Sequence, residues 1–219
     1  MKIALCLPTG DDVKADFMLS LSRLLLRAGA AGHEFAFTNV KTSNVAQSRE
    51  LTAEQALQGD GTHMLWLDSD MVFPAWTLER LLSHDVDIVA GNYCMRGALN
   101  PQPTAVVDIQ PNGQCKRVFA AQGDAPVEVE GIGFGAVLMK RAVLERMAKP
   151  RFPITWNAAG GYHEGEDVNF CANARKLGYK LLVDPLVSRH LGHAGSYLYT
   201  LNATPLPYGQ AKAVCWGDQ

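Results

Sequence analysis

Three groups of residues have the types and spacing to do chemistry. The first is Asp68-Ser69-Asp70, which ends the apolar run His63-Met64-Leu65-Trp66-Leu67 and is followed by Met71-Val72-Phe73-Pro74. Two carboxylates at the tip of a core strand are costly without a positive partner. Hard divalent cations such as Mg²⁺ and Mn²⁺ prefer oxygen ligands and keep substrate phosphates in their shell. Strand alternation carried through the tip sets Asp68 and Asp70 on one side and Ser69 on the other. The plainer alternative is a loop pair that caps the helix near Pro74 or is solvated. The second group is Gly165-Glu166-Asp167, with Glu164 just before it. Carboxylates at a helix start are stabilised by free N–H groups and the helix dipole. A cap needs one acid, so a further carboxylate aimed into a cleft is available to take a proton from an acceptor hydroxyl. The third is His190 and His193 in Ser188-Arg189-His190-Leu191-Gly192-His193-Ala194-Gly195. An imidazole there is either a hydrogen-bonded structural group or a ligand, and with the two aspartates it makes a mixed O/N site suited to Mn²⁺ or Mg²⁺.

These residues need a scaffold, and the hydrophobic pattern supplies one. Lys2 to Leu7 reads as a buried strand closed by Pro8-Thr9-Gly10. Val13, Phe17, Leu21, Leu24 and Ala28 follow helical spacing, with Asp11 or Asp12 as cap and Gly29 and Gly32 at the end. His33 to Val40 is a second strand, so the chain opens strand–helix–strand, which favours a parallel pair with a right-handed crossover. A second helix runs from a cap at Ser43 or Asn44 to Gln58, with Val45, Arg49, Thr52 and Ala56 on its inward face. The strand bearing Asp68 and Asp70 follows. Pro74 to Ser83 is a short helix with Leu78, Leu81 and Leu82 inward. Asp87 to Asn92 is a fourth strand.

From Tyr93 to Pro126 the pattern weakens into an excursion with short strands at Thr104–Ile109 and Arg117–Ala120, placed to cover a substrate. Val127 to Lys140 regains order around Gly131-Ile132-Gly133-Phe134-Gly135, where glycines permit close approach. A helix over Arg141 to Met147 and a loop over Pro150 to Gly161 follow. The helix that starts at Glu166-Asp167 turns Phe170, Ala174 and Leu177 inward and closes at Gly178. Lys180 to Val183 is a last strand, stopped by Asp184-Pro185. His190 and His193 then lie in a Gly-rich loop, and no strong period follows Tyr199. The expected organisation is one catalytic domain over 1–198 with a tail over 199–219.

The bulk properties narrow the function classes. A chain of 219 residues supports one sizeable core. A formal net charge of −2 gives no general field toward nucleic acid or an anionic membrane. Cys6, Cys94, Cys115, Cys171 and Cys215 are scattered, without a Cys-x-x-Cys, and read as free thiols in a reducing compartment. No apolar stretch approaches the roughly 20 residues that span a bilayer. The expectation is a cytoplasmic protein without a transmembrane segment.

In this order on this scaffold, the three groups resemble those of small, family-2-like GT-A-fold glycosyltransferases, which use nucleotide-activated sugars. The resemblance covers most of residues 2–195. It implies an α/β, GT-A (Rossmann-like) architecture with a mixed, mostly parallel sheet flanked by helices. Asp68-Ser69-Asp70 is similar to the family's Asp-x-Asp motif, in which the first acid meets ribose or metal and the last binds the metal. Glu166-Asp167 is similar to the acidic pair that starts the acceptor-side helix, which makes Asp167 the candidate base. Gly192-His193-Ala194-Gly195 is similar to the Gly-His-x-Gly element, which carries the metal to His193 rather than His190. Pro8 and Thr9 occupy the place of the nucleotide-contacting loop, and Arg49 that of a basic residue near the donor. Gly133 and Phe134 precede a strand that lines the acceptor side.

The implied reaction is sugar transfer from a UDP- or GDP-sugar to an acceptor hydroxyl, dependent on Mn²⁺ or Mg²⁺ and inverting with Asp167 as base. Trp156 is the candidate stacking platform, and His163 a further acceptor contact. Trp66 reads as core, and Trp76 as core or platform. The acceptor stays open among a glycan or glycolipid, a protein, and a hydroxymethylated nucleic-acid base. Two alternatives share the scaffold: a sugar-nucleotide nucleotidyltransferase and a non-catalytic binding module. The first is disfavoured by the acidic Pro8-Thr9-Gly10-Asp11-Asp12 segment, where a basic glycine-rich phosphate loop would be expected.

Overall fold

In the computed structural model, which describes residues 1–96, 102–119, 123–195, 197–201 and 203–207, the first strand explains the layering of the whole chain. Strand β1 (Lys2–Thr9) is buried from Ile3 onward. Its side chains alternate, so Ile3, Leu5 and Leu7 enter one apolar layer and Ala4 and Cys6 the other. A strand covered on both faces has to be apolar along its length, and that is how its sequence reads.

The chain continues through α1 (Ala15–Ala30), β2 (Glu34–Lys41), α2 (Val45–Gln58), β3 (His63–Leu67), β4 (Met71–Val72), α3 (Thr77–Leu82) and β5 (Ile88–Ala90). Next come β6 (Val106–Val107), β7 (Lys116–Arg117), β8 (Val127–Val129), β9 (Ala136–Lys140) and α4 (Arg141–Arg146). The rest comprises β10 (Thr155–Asn157), β11 (Tyr162–Glu164), α5 (Glu166–Lys176), β12 (Leu181–Val183), α6 (Pro185–His190), β13 (Gly192–Ala194), β14 (Tyr197–Thr200) and β15 (Ala203–Pro207).

The main sheet has seven strands in the order β2-β1-β3-β9-β5-β12-β8. β2, β1, β3, β5 and β12 run one way, and β9 and β8 run against them. This is the mixed, mostly parallel α/β sheet expected from the sequence. One face packs against α2, α4 and α5 through Ala53, Ala56, Val143, Leu144, Phe170 and Ala174. The other packs against α1, α3 and α6 through Phe17, Leu24, Leu78, Leu81 and Val187. Among the described residues no helix is long and apolar enough to cross a membrane.

Several local expectations are corrected by tertiary contacts. Neither Asp11 nor Asp12 caps α1; its cap position is Lys14, whose N–H donates to the Ser69 carbonyl at 3.0 Å. Val13 lies outside that helix and is exposed, as is Val45 at the start of α2. The inward face of α2 is Ala46, Ser48, Arg49, Thr52, Ala53 and Ala56, with Asn44 capping through Gln47 N–H at 3.1 Å. On α5, Cys171 is buried beside Phe170 and Ala174, while Leu177 at the end is exposed. The expected loop 150–161 contains β10, which pairs antiparallel with β11 as Thr155↔Glu164, Trp156↔His163 and Asn157↔Tyr162. Gly161 allows this hairpin turn by adopting φ +72°.

β13, β14, β15 and β4 form a second sheet in the order β15-β14-β13-β4, so paired structure runs past residue 198 to Pro207. Residues 208–219 lie outside the described residues, and so does Cys215. Cys6, Cys94 and Cys171 are buried free thiols, and Cys115 is a free thiol at intermediate depth.

Candidate functional site

The carboxyl ends of parallel strands are where an open α/β sheet binds ligands. Here β1 ends at Thr9, β3 is followed by Asp68, and the chain leaving β5 carries Tyr93 and Arg96. The antiparallel β9 begins at this same edge, just after Gly133-Phe134-Gly135. The Cys6↔Trp66 pairing of β1 with β3, continued, brings Pro8 alongside Asp68.

Asp68-Ser69-Asp70 is not strand. It is a turn between β3 and β4 in which the Met71 N–H donates to the Asp68 carbonyl at 3.1 Å. Alternation therefore stops at Leu67, and the two carboxylates diverge instead of sharing a side. The backbone pins the turn from three directions. Asp68 N–H donates to Gly135 O at 3.1 Å, Lys14 N–H to Ser69 O, and Ala194 N–H to Asp70 O at 2.8 Å.

Asp68 turns into the protein. Arg49 Nη2 donates to both of its carboxylate oxygens at 3.0 Å, and Arg49 Nη1 donates to Glu166. The Arg49 side chain is only 5% exposed, and its guanidinium lies 5.0 Å from the Phe134 ring centroid. Burial opposes the charge on Arg49, but Asp68 and Glu166 outweigh it and raise its pKa. Glu166 responds mainly to burial, which lifts its carboxyl above the ordinary range against the pull of Arg49; Asp167 and Asp68 add to the rise. Glu166, expected on the catalytic side, is thus a buried partner of Arg49. Phe134, placed on the acceptor side by the resemblance, is 1% exposed and packs against Trp66, Phe152 and Phe170, so its side chain belongs to the core beneath Arg49.

Asp70 turns the other way. The Gly192↔Val72 and His193↔Met71 pairing of β13 with β4 brings His193 beside it. His193 Nε2 lies 3.4 Å from Asp70 Oδ1, and Arg96 Nη1 lies 3.0 Å from Asp70 Oδ2. Burial raises the Asp70 pKa, but the His193 hydrogen bond and the His193 and Arg96 charges together hold it below the usual range. His193 Nδ1 is 2.9 Å from the Cys94 carbonyl, which can only accept. The Nδ1 proton is thereby fixed, and the ring in its neutral form would present the Nε2 lone pair to a carboxylate. A proton or a metal cation between them resolves that conflict, and a carbonyl that fixes the tautomer is the usual outer support of a histidine ligand.

Among the described residues no group of three or more His, Cys, Asp and Glu side chains forms a metal-binding cluster. Asp70 and His193 nonetheless fit a cation that takes one or two protein ligands and completes its shell with phosphate oxygens. Asp68, the third expected ligand, has both oxygens on Arg49 instead.

The remaining candidates separate by depth. His190 is the last residue of α6 rather than part of a loop; its Nδ1 is 2.9 Å from Leu186 O and its ring meets Trp76 edge-on. Thr9 Oγ1 and the Leu7 carbonyl both accept from Asn39 Nδ2, which fixes the end of β1. Asp167 is partly exposed in the first turn of α5, with Oδ1 held by the Val168 N–H at 2.8 Å. Trp156 is 59% exposed and stacks edge-on with His163 across the hairpin that leads into α5. Trp66 is fully buried, as expected.

Two residues of this edge were not anticipated. Tyr93 is buried, accepts the Gly135 N–H at 3.1 Å and packs edge-on against His193 at 5.2 Å. A Cβ on Gly135 would fall 2.7 Å from the Tyr93 ring, and one on Gly133 would fall 2.5 Å from its hydroxyl. The glycines are there to seat Tyr93. Arg96 is the other. Its only signal in the sequence is a basic residue a few positions past a strand that ends at the same edge.

The arrangement defines a mixed α/β fold with a polar site at the carboxyl edge of its parallel strands. No family model and no curated protein matches the chain. Among solved structures it is similar to A197 from STIV, with a TM-score of 0.64 and 17% identity over 100% of this chain and 96% of that one. At that identity the likeness establishes the fold.

Proposed function

We propose that this chain is a GT-A-type glycosyltransferase that moves a sugar from a nucleoside-diphosphate sugar to an acceptor hydroxyl. The observation that carries the reading is the Asp70–His193 pair. A carboxylate oxygen and an imidazole whose other nitrogen is bonded to Cys94 meet at the ligand-binding edge of the sheet. In transfer, the anomeric C–O bond to the diphosphate breaks, and a new C–O bond forms to the acceptor oxygen. The acceptor proton must leave, and negative charge gathers on the departing diphosphate. Asp70 and His193 would hold a Mn²⁺ or Mg²⁺ ion, which when bound supplies Lewis-acid neutralisation of that charge.

Asp167, at the partly exposed start of α5, accepts the acceptor proton in this reading. Arg49 keeps Asp68 fixed beside the nucleotide, with Pro8, Thr9 and Ser69 forming the rest of the donor wall. Trp156 and His163, on the hairpin next to Asp167, face the acceptor.

The test is a thermal-shift series with UDP-, GDP- and CDP-sugars, each with and without Mn²⁺. A ligand that binds only the folded state at 100 times its Kd adds about 2.7 kcal/mol of stability. The expected result is a shift with one nucleotide class that grows when Mn²⁺ is present. No shift with any of them, and no release of nucleoside diphosphate, would overturn the proposal.

A further inference from the structure

Both acids of Asp68-Ser69-Asp70 carry an arginine, but the two pairs are built differently. Arg49 on Asp68 is buried, meets both carboxylate oxygens through Nη2, and is bonded also to Glu166 and seated over Phe134. Arg96 on Asp70 is 49% exposed and meets one oxygen through one nitrogen at 3.0 Å. Its stem crosses Gly195, where a Cβ would lie 3.1 Å from Arg96 Cδ, so the absence of a side chain there leaves it room. A half-exposed single-contact ion pair is worth little and exchanges readily. The Asp70 carboxylate is also divided, with Oδ1 toward His193 and Oδ2 toward Arg96. A divalent cation taken up by Asp70 and His193 meets a guanidinium on the same carboxylate, and like charges on one acid repel.

We propose that Arg96 is a built-in counter-cation of Asp70 that a divalent metal displaces, and that the displaced guanidinium then binds the phosphates of a nucleoside diphosphate. The inference rests on the glycosyltransferase reading for the identity of its ligand. The planar fork of arginine suits phosphate oxygens, and the tether keeps it within reach of the site it has left. Metal and diphosphate then bind as a set. The metal alone works against Arg96, whereas the metal with diphosphate gives Arg96 a new partner.

The experiment compares the native protein with Arg96→Met, which keeps the apolar stem over Gly195, and with Arg96→Lys. Mn²⁺ alone is titrated by electron paramagnetic resonance; UDP, GDP and CDP are then titrated calorimetrically at saturating Mn²⁺. Arg96→Met should bind Mn²⁺ alone about two- to fivefold more tightly, the scale of an exposed ion pair that no longer competes. The same variant should bind the nucleoside diphosphate about tenfold more weakly, the scale of one charge-assisted hydrogen bond lost. Arg96→Lys should fall between the two proteins in both titrations. The opposite signs are the signature, because a merely structural role moves both affinities the same way or neither. Unchanged or weaker Mn²⁺ binding in Arg96→Met, or unchanged diphosphate binding, overturns the proposal. If no protein binds UDP, GDP or CDP, the glycosyltransferase reading fails and the phosphate half of this proposal fails with it. The Mn²⁺ titration still decides the displacement half.

Discussion

Replacing Arg49 with methionine should be among the most damaging single changes at the candidate site. Arg49 joins three elements: it stands on α2, holds the Asp68 turn after β3 and holds Glu166 at the start of α5. Met keeps most of the apolar stem and removes the charge, so Asp68 and Glu166 lose their common partner. Breaking a buried ion pair from one side costs about 3–5 kcal/mol. Asp68 is 23% exposed and Glu166 is 11% exposed, so both recover some hydration and the lower end, about 3 kcal/mol, applies. For a chain of this size, each kcal/mol lowers the melting temperature by about 2–4 °C, which gives about 6–12 °C.

Circular dichroism melts of Arg49→Met, Glu166→Gln and the double variant measure this. Once Arg49 is gone, the buried Glu166 charge is a liability, so Glu166→Gln should be more favourable by about 2 kcal/mol in the Arg49→Met background than in the native one. A drop below 2 °C for Arg49→Met, or a coupling within about 0.5 kcal/mol of zero, would refute the claim that this arginine ties the site together.

Three further outcomes are expected. Asp167→Asn should leave the nucleotide-dependent thermal shift near native while lowering transfer by about 10²–10⁴-fold in a sugar-transfer assay; loss of nucleotide binding would contradict the base role proposed for it. Gly135→Ala should cost about 1–3 kcal/mol in denaturant unfolding, because the new Cβ would sit 2.7 Å from the Tyr93 ring and 2.8 Å from Met71 Sδ. The last concerns pH. Burial lifts the folded-state pKa of Glu166 above its ordinary value of 4.5, so its stabilising contribution is complete below that value and is lost as pH rises through the folded pKa. The stability of the native protein relative to Glu166→Gln should therefore fall as pH rises above 4.5, and denaturant midpoints that move apart in the other direction would contradict the burial argument.

The sheet and its helices were legible because burial on two faces leaves a strong record. β1 and β3 are unbroken apolar runs, and α1 repeats its inward residues at helical spacing. Weaker records misled. Two prolines, Pro150 and Pro153, and a run of small residues made 150–161 look like loop, yet the β10–β11 pairing is set by cross-strand partners that local pattern does not encode. The helix before β13 was missed for a similar reason. Pro185 reads as a stop, but it is at the first turn of α6, where a missing N–H is harmless, and Asp184 caps that turn through the Val187 N–H. In the site, residue types pointed to Asp70, His193 and Arg49. Their partners did not show, because Arg49–Glu166 and Arg96–Asp70 are contacts across the fold. Phe134 sits between two glycines, which suggested a ligand-facing loop. The glycines serve Tyr93 instead, and the phenyl ring goes to the core.

The divergence of Asp68 and Asp70 gives the spacing of the motif a physical reason. Had the strand continued, both carboxylates would lie on one side of the sheet edge and repel at short range. The turn closed by Met71 N–H on Asp68 O separates them. One acid is then committed to a buried arginine that no ligand can displace cheaply. The other is left with an imidazole and a half-exposed arginine, both able to change partners. A fixed acid preserves the shape of the edge, and an exchangeable one leaves it open to a ligand. Exchanging the two environments would destroy both properties. A metal drawn to Asp68 would have to displace a buried arginine from both carboxylate oxygens, whereas a metal drawn to Asp70 has to displace only the half-exposed Arg96. Of the two aspartates, Asp70 is therefore the one through which binding can be selective without unsettling the fold.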